Sequence, residues 1–330
     1  MCCLFGLIDV KQRLSPAEKR RILSTLGTAC EARGTDATGY AYNSTGRLVI
    51  KKEAVPAHQM NWDIPSDAHI IMGHTRMTTQ GSAAKYENNH PFRGTVHFTP
   101  FALAHNGILH NDVSLRKSLK LPDTDIETDS YIAVQLLEQK KALDLSSLKC
   151  MAELVKGTFN FTVLDNKNCL YFVKGNNPLC LYYFRKQGLY IYASTKTILD
   201  TALKKLRYFH LPHKEISICD GEILKLDVYG DMENKFFTVP VSYYRPYSYP
   251  LYDDWEDETE SEYHQFLMEY AAVMGVPQKE MDYLHDAGLM DAELEECLYD
   301  YHYRQLCLYD TGYYDEMEDY HDYFKNTVRA

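Results

Sequence analysis

Hydrophobic and polar positions along the first 230 residues switch between a period of two and a period near 3.6, and the switches outline the elements. Residues 4–10 form a short, nearly continuous apolar run, which predicts a buried strand. Ser15-Pro16-Ala17-Glu18 then reads as a capping box with proline at the first helical position. Ile22, Leu23 and Leu26 carry the helix on to about Cys30. Short β-rich runs follow at 39–42, 47–51, 69–76 and 101–104, several of them parted by turn formers such as Asn43-Ser44-Thr45-Gly46. Helical spacing returns at 129–141 and 146–156. A second β block occupies 158–165, 169–174, 179–184 and 189–193, before a short helix at 197–205 and final strands within 216–227. This order predicts an α+β domain with two sheets and helices outside them.

Past residue 230 the pattern changes. Residues 240–250 read PVSYYRPYSYP, extended and poor in helix, and an acidic run fills 253–262. Residues 268–309 regain helical spacing, broken at Gly275-Val276-Pro277 and Ala287-Gly288, which predicts two or three short helices. Charge changes sign at the same place. Residues 231–330 hold 24 acidic and 6 basic side chains, a net of −18, against 29 basic and 22 acidic upstream, a net of +7. The expected division is a domain over 2–230, a Pro/Tyr-rich and then acidic linker over 231–262, and an acidic, Tyr-rich, mostly helical module or tail over 263–330. Sixteen of the 27 tyrosines lie after residue 230, interleaved with carboxylates. Two readings of that module stay open: a solvated acidic tail, or a docking surface for a partner with a basic face. Its charge argues against nucleic acid as a partner.

Composition narrows the class further. A hydrophobic fraction of 45% and a charged fraction of 25% are those of a globular protein. No apolar run approaches the roughly 18 residues of a membrane span. The apolar opening lacks a positive leader, so no signal peptide is read and a cytoplasmic location is expected. Nine cysteines, an odd number without C-x-x-C spacing and without matched histidines, predict neither a disulfide framework nor a metal site. The chain has no phosphate loop of the G-x-x-x-x-G-K-[ST] type and no Gly-rich dinucleotide motif, and no cofactor is called for.

The candidate chemistry begins at Cys2, which becomes the amino terminus once Met1 is removed. A terminal cysteine holds a nucleophile and, in its α-amine of pKa roughly 7.7–8.0, a base. Four polar, Gly-bearing segments follow: Arg33-Gly34-Thr35-Asp36-Ala37-Thr38-Gly39, Gly73-His74-Thr75-Arg76-Met77-Thr78-Thr79-Gln80-Gly81, Ala104-His105-Asn106-Gly107 and Glu127-Thr128-Asp129. With the terminal cysteine, and in this order and spacing, they resemble the class II glutamine amidotransferases of the N-terminal-nucleophile hydrolase superfamily, from Cys2 to about Asp227.

The resemblance implies a four-layer α/β/β/α sandwich and attack by Cys2 on the side-chain amide of L-glutamine, with a thioester intermediate and release of ammonia. It assigns the oxyanion hole to Asn106 and the N–H of Gly107, the substrate carboxylate to Arg76 with help from Thr79, the substrate ammonium to Asp129, and a supporting role to Arg33 and Asp36. Each has a plainer reading: a hairpin turn for Asn106-Gly107, a surface salt bridge for Arg76, a helix cap for Asp129, a simple turn for Arg33 and Asp36. His74, His90 and His105 read as hydrogen-bonded scaffold. The chain departs from the family at Cys3, where glycine is usual and crowding beside the nucleophile is expected. It departs again at Met77 and Gln80, where tryptophan and histidine are usual and looser closure is expected. Two rivals remain, a catalytically silent glutamine sensor and a related amidohydrolase acting on another amide. A separately encoded, ammonia-accepting synthase is the partner the first reading implies.

Overall fold

The computed structural model describes residues 2–239, 262–273, 275–299 and 301–314. Met1, the stretch at 240–250, nearly all of the acidic run and the tyrosines after residue 314 lie outside the described residues.

Alternation within the strands decides the layers. In β1 (Cys3–Asp9), Cys3, Phe5 and Leu7 enter one apolar core while Leu4 and Ile8 enter another, so a strand without a polar face is buried on both sides. α1 (Pro16–Cys30) covers the first of these faces. Its capping box is formed, with Ser15 Oγ accepting from the Glu18 N–H and the Glu18 carboxylate accepting from the Ser15 N–H. The chain continues through β2 (Ala37–Ser44), β3 (Arg47–Glu53), β4 (Ile70–Arg76), β5 (Phe92–Val96), β6 (Thr99–Leu109), α2 (Asp112–Ser118), α3 (Tyr131–Lys140) and α4 (Leu145–Leu154). It then forms β7 (Gly157–Asp165), β8 (Cys169–Lys174), β9 (Cys180–Phe184), β10 (Leu189–Ala193), α5 (Lys196–Leu206), β11 (Lys214–Glu215), β12 (Glu222–Asp227) and β13 (Met232–Phe236).

Seven strands pair in the order β11-β9-β10-β1-β4-β2-β3 and six in the order β13-β12-β8-β7-β6-β5, with antiparallel registers throughout. α1 and α5 pack on the seven-stranded sheet and α3 and α4 on the six-stranded one. Between the sheets lies a third core that includes Leu4, Ile8, Met72, Leu164, Phe172 and Tyr192. The result is the expected α/β/β/α sandwich.

Four elements were silent in the sequence, one of them the two-residue β11. β5 is only five residues long and interrupted by Gly94, α2 is short, and β13 (MENKF) is an edge strand with almost no buried side chain. β13 is held by its ladder to β12, so the six-stranded sheet runs past residue 230, and the first compact unit ends at Tyr244. An edge strand exposed on its faces has no hydrophobic alternation to read.

Among its described residues the second unit, Arg245–Ala330, contains α6 (Glu262–Val273), α7 (Gln278–Asp286), α8 (Asp291–Tyr299) and α9 (Tyr301–Asp310), four helices rather than two or three. The breaks at Gly275 (φ 70°) and Gly288 (φ 96°) fall where glycine permits the left-handed backbone, while no glycine in the sequence marks the end of α8 at Tyr299. Leu267, Met281, Leu284, Leu294, Cys297 and Leu308 bury its interior, and Arg304 Nε reaches Glu280 at 2.9 Å. Among the described residues no helix is long and apolar enough to cross a membrane.

Phe172 lies wholly inside the inter-sheet core, edge-on to Tyr192 with ring centroids 4.9 Å apart. Phe172→Ala should therefore lower the stability of the first unit by about 3–5 kcal/mol in urea unfolding. A loss below about 1 kcal/mol would mean that the two sheets do not share this core.

Candidate active site

Antiparallel pairing of β1 with β4 places the start of one strand beside the end of the other: Cys3 lies opposite Thr75, and Cys2 Sγ is 3.7 Å from the Met77 carbonyl. β2 brings Ala37 opposite Arg76 on the other side of β4. The loop before β2 folds onto the same strand end, where a Cβ on Gly34 would lie 2.5 Å from the Arg76 carbonyl carbon, so that approach requires glycine. The Asp36 N–H donates to the Arg76 carbonyl (2.9 Å), and its carboxylate accepts from the Thr78 N–H (2.7 Å).

Arg33 joins this sheet edge to the facing sheet. Fully buried, it donates through Nε to the Cys2 carbonyl (3.1 Å) and through a terminal nitrogen to Asn106 Oδ1 on β6 (3.5 Å). A guanidinium only donates, so this contact fixes which end of the Asn106 amide is oxygen. Asn106 Nδ2 is then left buried with no partner among the described residues. The Asn-Gly pair is not a hairpin turn but part of the long strand β6. Gly107 takes φ 140°, and a Cβ there would meet the Thr158 carbonyl oxygen at 1.9 Å.

Asp129 is not a cap. The α3 N-cap is Ser130, without a side-chain cap bond, while Asp129 accepts from the Leu109 N–H (2.6 Å) and from Ser130 Oγ (3.2 Å). Arg76 is no surface salt bridge either: it is 2% exposed and donates to Asn89 Oδ1 (2.7 Å) and to the carbonyls of Gln80 (2.6 Å) and Gly81 (3.1 Å). The loop after β4 thus folds over the guanidinium, with Thr79 exposed on it. Glu127 accepts from Asn88 Nδ2 (2.8 Å) and the Ser82 N–H (3.2 Å), tying that loop to the segment leading into Asp129. Asn89, which orients Arg76, carried no signal in the sequence beyond an Asn-Asn-His-Pro run.

The electrostatics fit a thiol that needs help to ionise. Burial pushes the Cys2 thiol up; a backbone contact with Met77 and the Arg76 charge oppose that, and Asp129 reinforces it. Burial also lowers Arg76, with Cys2, Asp36 and Asp129 acting against the shift. Cys3, expected to crowd the nucleophile, turns instead into the core under α1, with its sulfur 2.9 Å from that of Cys30.

Two of the three histidines are hydrogen-bonded scaffold: His74 Nε2 meets the His105 carbonyl at 3.0 Å, and His105 Nδ1 meets Ser130 Oγ at 2.7 Å. His90 differs. Neither ring nitrogen has a partner among the described residues, and the ring lies against His74 and Phe92, with centroids 4.2 and 4.3 Å away. Desolvation holds all three neutral, lowering His74 to about 3.

Residues 74–201 match the family described as a glutamine amidotransferase domain. The chain is 31% identical over 187 residues to glutamine--fructose-6-phosphate aminotransferase [isomerizing] of Bacillus thuringiensis, which covers 54% of this chain and 30% of that protein. It is 29% identical over 212 residues to the Helicobacter pylori protein of the same name, covering 60% and 33%. Among solved structures, the glutamine phosphoribosylpyrophosphate amidotransferase of B. subtilis, complexed with ADP and GMP, shares the fold at a TM-score of 0.56 and 20% identity. That likeness covers 72% of this chain and 49% of that one. The chain carries a class II glutamine amidotransferase domain on the N-terminal-nucleophile hydrolase fold. It spans about a third of the length of the curated relatives it matches.

Lys52 supports the site from beneath, donating to the Asn89 carbonyl at 2.6 Å, with burial lowering its ammonium to about 8. A folded pKa below the unfolded 10.5 means that the unfolded chain holds the extra proton between those values, so folding gains stability as pH rises from about 8 to 10.5. Urea unfolding should show the wild type gaining about 1 kcal/mol or more over Lys52→Met between pH 8 and pH 10. Parallel stability curves for the two proteins would show that Lys52 titrates as an exposed lysine does.

Proposed function

We propose that the chain hydrolyses the side-chain amide of L-glutamine at Cys2, giving glutamate and ammonia. The observation that carries this reading is the Arg33 bridge, which holds the Cys2 backbone and the Asn106 amide together and leaves Asn106 Nδ2 a buried, unspent donor. An unpaired buried donor beside a nucleophile is what a developing oxyanion requires.

With Met1 removed, the Cys2 α-amine takes the thiol proton as sulfur attacks the amide carbon. Asn106 Nδ2 and the Gly107 N–H bind the oxyanion, and collapse breaks the C–N bond as the amine returns its proton to the leaving nitrogen. Water then cleaves the thioester, releasing glutamate and restoring the thiol. Arg76, assisted by Thr79, receives the α-carboxylate, and Asp129 receives the α-ammonium. Arg33 and Asp36 hold the frame. The ammonia passes to a separately encoded synthase acting as partner, and the reaction takes place in the cytoplasm.

Cys2→Ala should abolish glutamate release, and Cys3→Ala, whose side chain points into the helical core, should retain it; equal loss in both refutes the assignment. Asn106→Ala should lower kcat about 10²- to 10³-fold. Arg76→Lys, which cannot grip a carboxylate bidentately, should act chiefly on KM for glutamine. Intact-mass analysis of protein from its own host should show Met1 absent and a single adduct at Cys2 after a glutamine-like diazo-ketone. Retained Met1 with an unreactive Cys2 would leave a silent glutamine-binding protein instead.

A further inference from the structure

We propose that Asn177, between β8 and β9, is a positioning residue of the oxyanion site, holding and polarising the peptide group that joins Asn106 to Gly107. The inference rests on the glutaminase reading and adds a residue from a segment to which that reading assigns no role. Asn177 is fully buried, and its Nδ2 donates to the Asn106 carbonyl at 2.8 Å. That carbonyl belongs to the same peptide group as the Gly107 N–H. The peptide is trans, so its N–H points opposite to its C=O. A donor on the oxygen fixes the plane of the group and draws electron density away from the nitrogen, making the N–H a stronger donor on the far side. Asn177 also closes the space at Gly107, where a Cβ would come within 2.9 Å of its Nδ2.

The Asn177 backbone is itself anchored. Asn160 on β7 donates through Nδ2 to the carbonyls of Asn177 (2.7 Å) and Pro178 (3.0 Å) and accepts from the Gly175 N–H (2.9 Å). The neighbouring Asn176 accepts the Phe159 N–H at 3.0 Å. A further observation distinguishes Asn177 from ordinary structural glue: its own Oδ1 is buried without a partner among the described residues. Such an atom carries a desolvation cost that an apolar side chain would avoid, so the amide is kept for what its nitrogen does. The arrangement is two-sided, with Arg33 orienting the Asn106 side chain and Asn177 orienting its backbone.

The test uses the full chain with Asn177→Ala, which deletes the donor, and Asn177→Asp, which keeps the shape but cannot donate when ionised. Both should lower kcat for glutamate release about tenfold, less than the loss of a direct oxyanion donor. KM for glutamine should stay within about threefold, since neither ground-state clamp is touched. The rate of Cys2 alkylation by iodoacetamide, which forms no tetrahedral oxyanion, should be unchanged, and the Gly107 amide proton resonance should move upfield. Unchanged kcat with an unmoved Gly107 resonance overturns the proposal. So does a parallel fall in kcat and alkylation, which would make Asn177 a general support for the fold. A wild-type chain that releases no glutamate defeats the glutaminase reading instead, and the Gly107 resonance then decides alone whether Asn177 polarises that peptide.

Discussion

The buried guanidinium of Arg33 is the constraint on which the site depends. A cation taken out of water costs several kcal/mol unless its donors are satisfied, so a fully buried arginine demands acceptors at fixed places. Two of them here are the Cys2 carbonyl on one sheet edge and Asn106 Oδ1 on the facing sheet. Satisfying the charge and assembling the site are therefore one event. Asn106 cannot rotate to pair its own nitrogen without turning it toward a group that only donates.

Charge elsewhere near the site is managed by exclusion. His74 and His90 lie close enough to feel the Arg76 charge and are held neutral by burial, so the guanidinium meets no competing cation from them at ordinary pH. The acceptors around Arg76 are mostly carbonyls and one amide, which orient it without neutralising it. A neutral cradle keeps its charge available for an anionic ligand, whereas a carboxylate in that position would compete.

Much of this was legible in the residues, for physical reasons that differ by element. The Ser15 to Glu18 box and the double-faced apolar run of β1 are local signals, and they fixed α1 and the central strand to within a residue or so. The placement of Cys2, Arg33, Arg76, Asn106 and Asp129 near one another was expected only through the order of the motifs, because strand pairing brings together residues far apart in sequence. Asn89 and Asn177 stayed hidden: each acts through bonds to groups outside its own segment, and the runs Asn-Asn-His-Pro and Asn-Asn-Pro read equally well as turns. β13 stayed hidden because its stabilisation is backbone pairing, to which side-chain periodicity is blind. Cys3 misled because its neighbour's chemistry suggested crowding, while the two-residue period of β1 turns its side chain to the opposite face from Leu4.

The position of β1 within its sheet bears on folding as well as on the site. The strand behind Cys2 pairs on one flank with β4 and on the other with β10, whose partner residues are Leu189 to Ala193. Nearly two hundred residues separate β1 from β10, a long-range closure of the kind that slows folding. β4 lies much nearer in the chain, so one flank of the strand can close early and the other only when nearly the whole sandwich is present.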